Sequence, residues 1–300
     1  MFLKILIVCL AVFFIWEKLY DTGQDNAILW GNLILEDSFT LFFLPVLLVL
    51  SFGNWFFEIK KWKILASVIE PTTFKEAASQ SLASLTASIF TPNRIGEYGA
   101  KSLFFSKKHW KKVLLLNFIG NMTQLLTTIF FGILGLIFLW NKIALPFSNS
   151  EIFLTCGIFC TLIATFLFFK NQEIGRNLST FHNLKIREKL NLIRFSTIRY
   201  LLFSHQFYLI LMIFGAEIGY FEGISAIFVI YLFASALPSI FFLEAVVKGS
   251  IALWIFSIFQ VEEMIVLTTV GLMWLFNFAI PALVGSYYVV QFKPQKTTVV

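Results

Sequence analysis

The chain has 300 residues, of which 58% are hydrophobic and 13% are charged, whereas soluble domains average about 25% charged residues. An ordinary soluble domain is therefore excluded, because one core surrounded by water could not bury so much apolar surface. The net charge of +6 comes from Lys and Arg residues that flank apolar runs, which is typical of orientation signals and of contacts with anionic lipid. We expect no nucleic-acid partner.

Long apolar runs follow one another along the chain and predict membrane-spanning helices. About 20 apolar residues cross the hydrocarbon layer of a bilayer. Shorter runs suit either a span or a re-entrant helix. We therefore expect an all-α polytopic membrane protein with about 6 to 8 transmembrane helices. The long runs cover residues 39–57, 113–140, 152–169 and 264–290, and the shorter runs cover residues 1–16, 201–216 and 224–237.

The first apolar run begins like a secretory signal, with Lys4 ahead of the apolar residues. No small-x-small cleavage site precedes the acidic loop that follows, so we expect a retained first helix. That loop, residues 17–37, contains Lys18 as its one base and is expected outside the cell. Three basic segments are expected in the cytoplasm. They contain Lys60, Lys61 and Lys63, then Lys107, Lys108, Lys111 and Lys112, and finally residues 170–199.

The positions of Lys and Arg, which favour the cytoplasmic side, also orient the rest of the chain. Residues 217–222 and 262–263 contain acids but no base and are expected outside, whereas the tail contains Lys293 and Lys296 and is expected inside. Both termini then lie in the cytoplasm. The expected location is the cell inner (cytoplasmic) membrane.

Two segments have both of their ends on one side of the membrane. Residues 75–112 begin and end in basic clusters, and residues 224–260 begin and end outside. Each is predicted to be a re-entrant helical hairpin, and the two hairpins enter from opposite faces. The segments 39–140 and 201–290 then form an inverted-topology repeat, a common transporter design. A cytoplasmic linker at residues 170–200 joins them within one membrane domain.

A sequence echo between the hairpins supports the repeat. In both, a Glu precedes a Lys by four residues, which places the pair on one face of a helix. On a wet surface such a pair only stabilises a helix, but ionisable side chains at membrane depth are retained for function. The echo runs from Ala87-Ser88, Pro92, Glu97 and Lys101 to Ala234-Ser235, Pro238, Glu244 and Lys248.

The densest polar segment is residues 91–101, with the sequence Thr-Pro-Asn-Arg-Ile-Gly-Glu-Tyr-Gly-Ala-Lys. Thr91 is a good N-cap, and Pro92 suits the first position of a helix. The N–H groups at such a helix start attract phosphate, and Arg94 and Lys101 add full positive charge. An anionic headgroup therefore fits this hairpin tip.

At these residues the chain resembles the lysylphosphatidylglycerol synthase and flippase membrane-domain family. The similarity lies in segment 91–101, which follows a small-residue helix and precedes a basic loop and a long span, with a weaker match around residues 238–244. The resemblance implies the role of a lipid translocator. In larger family members this domain is joined to a soluble aminoacyl-transferase domain. We expect no such domain after Gln291, so the resemblance is to stand-alone, flippase-like members.

The span after this segment departs from the family pattern. Family members often have an acid–Arg pair and a further acid there, whereas this chain has Asn117, Asn121 and Gln124 on one helical stripe. Hydrogen-bonding capacity is retained and charge is lost, so the resemblance does not extend to the identity of the headgroup. Packing between helices explains the stripe as well as a substrate contact does.

The leading hypothesis is a non-enzymatic lipid translocase that binds a membrane phospholipid or a polyprenyl-phosphate lipid between the hairpins, with no cofactor and no metal. Two alternatives stay open, a membrane-embedded lipid-modifying transferase and a small-solute secondary transporter. The transferase is disfavoured because every Asp lies in residues 17–37, so no membrane-level acidic cluster could hold Mg²⁺. Homo-oligomer formation also stays open. The predicted substrate-binding residues are Thr91, Asn93, Arg94, Glu97, Lys101, Asn117, Asn121, Glu244 and Lys248.

Overall fold

The computed structural model describes residues 38–89, 91, 95–140, 142, 184–236 and 241–292, with the side chains of residues 42–89, 91, 95–140, 142, 184–236 and 247–292. Several predicted features lie outside the described residues. These are the apolar runs 1–16 and 152–169, the acidic loop 17–37, residues 170–183 of the linker, and the tail 293–300.

The described residues form helices and no strand, which confirms the all-α class. A short 3₁₀ segment, Lys107–His109, leads into the helix that begins at Trp110. The π-helical residues Leu275–Ala279 join the helices on either side of them into one continuous helix. The α-helices are α1 Ser38–Ala66, α2 Phe74–Ala87, α3 Gly96–Ser102, α4 Trp110–Leu139, α5 Ile186–Ile213, α6 Tyr220–Ala236, α7 Phe241–Ser257, α8 Glu263–Trp274 and α9 Ile280–Gln291.

Three helical stretches of the described chain are long and apolar enough to cross a membrane: Phe42–Ala66, Lys107–Leu139 and Glu263–Gln291. Two shorter helices, Tyr220–Ala236 and Val247–Ser257, are apolar as well. Large apolar side chains on the spans point outward, among them Phe42, Phe52 and Ile137. Extended apolar surface of this kind marks contact with lipid. The protein is therefore an all-α membrane protein.

Helix α5 begins within the stretch that the sequence assigned to a cytoplasmic linker. It starts at Ile186, so its first fifteen residues precede the predicted start of the second repeat at residue 201. The physical reason is a buried stripe at helical spacing, formed by Leu192, Ser196, Tyr200 and Ser204, all fully buried. Charged residues on the other faces concealed this stripe in the sequence.

Helices α1 and α5 pack against each other and run in opposite directions. Gln206 of α5 donates to the carbonyl oxygen of Leu47 near the start of α1. Further along α1, the Phe57 ring lies 5.6 Å from the ring of Phe195, which precedes Gln206 in α5. Contact positions therefore rise along α1 as they fall along α5, which makes the pair antiparallel.

Glycines allow α4 to approach α6 closely, and α9 to approach α2 closely. A Cβ atom built on Gly135 of α4 would lie 2.7 Å from the carbonyl oxygen of Ser225 in α6. A Cβ atom on Gly285 of α9 would collide with the carbonyl oxygen of Leu82 in α2. Helix α4 therefore packs directly on the backbone of α6, and α9 packs directly on the backbone of α2.

The contacts between helices repeat in the two halves. Helix α2 packs on α1 and α3 as α6 packs on α5 and α7. Helix α4 packs on α3 and α6 as the continuous α8–α9 helix packs on α7 and α2. Exchanging helices α1–α4 with helices α5–α9 therefore leaves this pattern of contacts unchanged.

Candidate functional site

Helices α1 and α5 meet at an ion-pair group formed by Glu58, Lys61 and Arg199. Lys61 Nζ lies 2.8 Å from Glu58 Oε2, and Arg199 Nη1 donates to the same oxygen at 2.5 Å. The side chains of Lys61 and Glu58 are only 2% and 9% exposed. One carboxylate therefore neutralises part of the charge of two cations inside the helix interface.

A second ion pair lies within the short helix α3, and its lysine also binds α4. Lys101 Nζ donates to Glu97 Oε1 at 2.8 Å and to Asn117 Oδ1 at 2.7 Å. It also lies 4.4 Å from the ring centroid of Trp62, within the range of a cation–π contact. The Trp62 indole in turn donates to Gln80 Oε1 at 2.7 Å. The Lys101 ammonium is thus enclosed by a carboxylate, an amide and an aromatic face.

These two groups together form a buried charge cluster, which we define as Glu58, Lys61, Glu97, Lys101 and Arg199. Glu58 also interacts electrostatically with Lys101, so the groups act on one another. Counted at their ordinary charge states, the three basic and two acidic side chains of the cluster sum to one positive charge. Because each charge removed from water costs several kcal/mol, an excess cation in this interior favours an anionic partner.

A chain of side-chain hydrogen bonds extends from the cluster across the helices. Arg199 Nε donates to Asn54 Oδ1 at 2.7 Å, and Asn54 Nδ2 donates to Asn277 Oδ1 at 2.7 Å. Asn277 Nδ2 then donates to Gln206 Oε1 at 2.8 Å. The chain therefore connects α1, α5 and the π-helical segment between α8 and α9.

Three residues of this hydrogen-bonded series, Arg199, Asn54 and Asn277, lie at the centres of their helical stretches. Arg199 is at the middle of the 28-residue helix α5. Asn54 is at the middle of the 25-residue stretch Phe42–Ala66, and Asn277 is at the middle of the 29-residue stretch Glu263–Gln291. Arg199, which donates to Asn54, therefore lies level with the middle of two stretches that are long enough to cross a bilayer.

The π-helical segment Leu275–Ala279 presents backbone carbonyl groups to α1. Ser51 Oγ donates to the carbonyl oxygen of Phe276 at 2.5 Å, and Trp55 Nε1 donates to that of Asn277 at 3.0 Å. A π turn widens a helix locally and frequently marks a functional position. Here it brings both the side chain and the backbone of Asn277 into the polar centre of the protein.

A cavity of about 220 Å³ opens beside this polar centre. Its polar lining consists of Arg199, Lys248, Asn54 and Asn277, together with Tyr231. The remaining wall is apolar and rich in aromatic rings, from Trp55, Phe203, Phe207, Trp274 and Phe278, with Ile230, Val270 and Met273 between them. The cavity thus combines two cationic side chains with a hydrophobic wall.

The α-helix that follows Thr91 begins later than the sequence predicts. It starts at Gly96, after the N-cap residue Ile95, and not at Pro92. Thr91 still satisfies this helix start, because its Oγ1 accepts a hydrogen bond from the Gly96 N–H at 2.9 Å and donates to the carbonyl oxygen of Ser88 at 2.8 Å. The threonine acts as a cap from outside the helix.

The structure brings some of the predicted site residues together. Glu97, Lys101 and Asn117 form one hydrogen-bonded group, and Asn121 Nδ2 donates to the hydroxyl of Tyr98 beside it at 2.8 Å. The side-chain amide of Gln124, on the same stripe, is buried and has no hydrogen-bond partner among the described residues. Asn93 and Arg94 lie outside the described residues, as does the side chain of Glu244.

Lys101 and Lys248 do not line the same space in this structure. Lys248 lines the cavity with Arg199, whereas the Lys101 side chain is 1% exposed and enclosed by its own partners. Arg199 lies between them, because it binds Glu58 on one side and lines the cavity on the other.

Several residues of the polar centre were missed by sequence reasoning: Glu58, Arg199, Asn54 and Asn277. Lys61 and Arg199 were counted as cytoplasmic bases. The sequence did contain a signal for a buried charged pair in α1, since Glu58 and Lys61 are one helical turn apart at the end of an apolar run. No local signal indicated Arg199, whose partners lie 141 and 145 residues away in the chain.

Among the described residues, no group of three or more His, Cys, Asp and Glu side chains could hold a metal ion. No protein-family model, curated protein or solved structure matches the chain.

Proposed function

We propose that this membrane protein binds anionic lipid headgroups within the bilayer and moves them between leaflets, as a lipid translocase of the flippase type. The ligand class is an anionic phospholipid or a polyprenyl-phosphate lipid. The observation that carries this proposal is the buried charge cluster, which has an excess of positive charge at membrane depth next to a cavity with an aromatic wall. The resemblance of residues 91–101 to the lysylphosphatidylglycerol synthase and flippase family supports it.

The energetic argument begins with the cost of charge at depth. A single ionisable side chain near the bilayer centre costs at least about 2.5 kcal/mol. Glu58 and Glu97 offset part of this cost for the three cations that they face. The excess positive charge is neutralised when a phosphate enters, so the empty protein favours an anionic ligand over a neutral or cationic one.

The proposed architecture is an inverted repeat with two re-entrant hairpins and about 6 to 8 spans. Helix α2 has 14 residues and is about 21 Å long, which is shorter than the ~30 Å hydrocarbon layer. Helices α6 and α7 have 17 residues each and also fall short of that layer. The antiparallel packing of α1 on α5 and the repeated contact pattern support an inversion between the halves. We place both termini in the cytoplasm and the protein in the inner membrane from the distribution of Lys and Arg.

The headgroup site lies where the two hairpins meet. In the state described above, Lys101 is enclosed and Lys248 lines the cavity, so the proposal requires Lys101 to leave its partners. Arg94 and Lys101 then approach a phosphate from the first hairpin, and Lys248 approaches it from the second. Glu97 holds Lys101 at 2.8 Å while the site is empty and releases it when a phosphate arrives, and Glu244 has the same role for Lys248. Thr91, Asn93, Asn117 and Asn121 complete the polar surface.

A reconstituted lipid-transfer assay tests this function. Purified protein in liposomes should move a fluorescent phosphatidylglycerol between leaflets faster than a fluorescent phosphatidylcholine, as read from bleaching by an impermeant reductant. Arg94→Gln and Glu97→Gln should slow the anionic probe by about tenfold or more, because a hydrogen bond to a charged group contributes about 1.5–3 kcal/mol. Lys185→Gln, at an exposed lysine, is the matched control and should retain the wild-type rate.

The proposal fails if the protein moves neither probe faster than empty liposomes do. If Arg94→Gln and Glu97→Gln both fold and move lipid at the wild-type rate, the hairpin residues are not the site.

A further inference from the structure

Lys60 lies at the seam between α1 and α5, outside the buried charge cluster. Its Nζ atom is 4.5 Å from the ring centroid of Phe56 and 5.9 Å from that of Phe195 in α5. Both distances are within the range of a cation–π contact. The Phe57 ring, next in the chain, lies 5.6 Å from the ring of Phe195. The Lys60 ammonium is therefore held where the two helices meet, and its side chain remains partly exposed.

Lys60 and Arg194 lie on the outward margin of this seam, away from α4. On α5, the Ser196 hydroxyl lies 3.0 Å from that of Thr123 in α4. On α1, Lys61 is buried in the charge cluster. Positions one or two residues away point about 100–200° further around a helix, so Lys60 and the exposed Arg194 point away from α4. Two bases therefore flank the seam on its open side, one from each helix.

Both bases lie near the level at which one leaflet meets its headgroups. Asn54 and Arg199 mark the middle of their helical stretches. Lys60 follows Asn54 by about 9 Å along the helix axis, and Arg194 precedes Arg199 by about 7.5 Å. Because α1 and α5 are antiparallel, both shifts lead toward the same leaflet. The hydrocarbon of that leaflet ends about 15 Å from the middle, and long basic side chains cover the remaining distance.

An apolar surface continues along α1 from Lys60 toward the middle of the bilayer. Phe56 stacks on Phe52 with the ring centroids 6.2 Å apart. Phe52 is 71% exposed, and Val49, one turn further on the same face, is 67% exposed. The margin thus combines positive charge at headgroup level with an apolar track at the depth of the acyl chains. An anionic phospholipid has the complementary arrangement.

We propose that the outward margin between α1 and α5 binds one anionic phospholipid, with its phosphate between Lys60 and Arg194 and an acyl chain along Phe52 and Phe56. Charge complementarity favours a lipid over another segment of the chain, because the apolar runs 1–16 and 152–169 contain no acid and would leave both bases unneutralised. Basic sites between helices on the cytoplasmic side are typical positions for anionic headgroups. This site is separate from the translocation site and does not depend on the translocase function.

Native mass spectrometry of the full-length protein in a non-ionic detergent tests this site. The protein is titrated with dioleoyl phosphatidylglycerol, and with dioleoyl phosphatidylcholine as the lipid with the same chains and no net charge. The first phosphatidylglycerol should bind at least about fivefold more tightly than the first phosphatidylcholine, because each base near a membrane surface attracts an anionic lipid. Inorganic phosphate should not displace it, because the acyl chain is part of the ligand.

Charge and aromatic contact are tested by separate variants. Lys60→Gln and Arg194→Gln should each weaken the first binding step about fivefold. The matched control is Lys111→Gln, at an exposed lysine where α4 begins beside the end of α1, and it should stay within about twofold of the wild type. Phe56→Leu retains both charges but removes a ring that holds Lys60, so binding should weaken about two- to fivefold. Phe130→Leu, on the exposed face of α4, should leave the affinity unchanged.

Each outcome supports or overturns the site. Equal affinity for the two lipids, or loss of binding on addition of inorganic phosphate, overturns a phospholipid as the ligand. If Lys111→Gln weakens binding as much as Lys60→Gln and Arg194→Gln do, the lipid responds to diffuse charge and the seam is not the site. If Lys60→Gln and Arg194→Gln both unfold at the wild-type temperature and bind like the wild type, another group covers this margin and the proposal fails. A wild type that moves no lipid in liposomes contradicts the translocase function alone, because binding at the seam is measured without transport.

Discussion

Glu58 determines the charge balance of the protein interior. Its Oε2 atom lies 2.8 Å from Lys61 Nζ and 2.5 Å from Arg199 Nη1. The carboxylate therefore holds one cation of its own helix and one of α5 in place. Because Arg199 also lines the cavity, Glu58 orients a cationic group of the cavity wall.

Replacing Glu58 by Gln should destabilise the protein strongly. Loss of one partner from a buried ion pair costs about 3–5 kcal/mol, because the remaining charge stays buried. The unfolding temperature in detergent should fall by many degrees. Glu70→Gln is the matched control, since Glu70 is exposed shortly after α1 and its replacement should change stability by less than about 0.5 kcal/mol. Equal unfolding temperatures for the two variants would show that the ion pair contributes nothing.

At the scale of helices, close packing through glycine holds the halves together. Gly285 of α9 faces the backbone of α2 at Leu82, and Gly135 of α4 faces the backbone of α6 at Ser225. Small residues at helix interfaces allow the backbone contact that drives association in lipid, where no hydrophobic force acts between helices. Helix α2 is thereby held by α9, and helix α6 is held by α4.

Gly285→Ala should destabilise the protein although alanine favours helices. In a helix interior alanine is better than glycine by about 1 kcal/mol, but the added Cβ at residue 285 collides with a backbone carbonyl that cannot move aside cheaply. Gly249→Ala provides the opposite expectation, because its Cβ would meet only the Leu267 side chain at 3.8 Å. The unfolding temperature should fall for the first variant and stay or rise for the second. A rise in both would refute the close approach of α9 to α2.

At the scale of the molecule, the repeat makes a topological prediction. Because residues 75–112 begin and end in basic clusters, Lys75 and Lys108 should both face the cytoplasm, and the acidic turn at Glu262 should face outward. All three side chains are exposed, so single Lys75→Cys, Lys108→Cys and Glu262→Cys variants can be labelled with an impermeant thiol reagent. The native Cys9, Cys156 and Cys160 are first replaced by Ser.

In intact cells only the Glu262→Cys variant should be labelled, and the other two should react once the membrane is opened. Labelling of the Lys75 and Lys108 variants from opposite sides would rule out the re-entrant hairpin. Labelling of all three from one side would rule out the inversion.

The sequence predicted the helical elements of the described chain well and their polar contacts poorly. The long spans were recognised because an apolar run of about 20 residues has no competing interpretation. The pair of Glu97 and Lys101 was recognised because its spacing is local. The first turns of α5 were missed, since a buried stripe that includes Ser196 and Ser204 does not stand out as apolar among charged neighbours.

The sequence by itself determined that this is an all-α membrane protein, because composition and run length act residue by residue and need no partner. Only the tertiary structure decided which charges are buried together. Arg199 becomes a central residue because α5 runs antiparallel to α1 and brings it to Asn54 and Glu58. Asn277 joins them through a π-helical segment. Contacts between residues far apart in the chain follow from packing, and no local pattern of residue types encodes them.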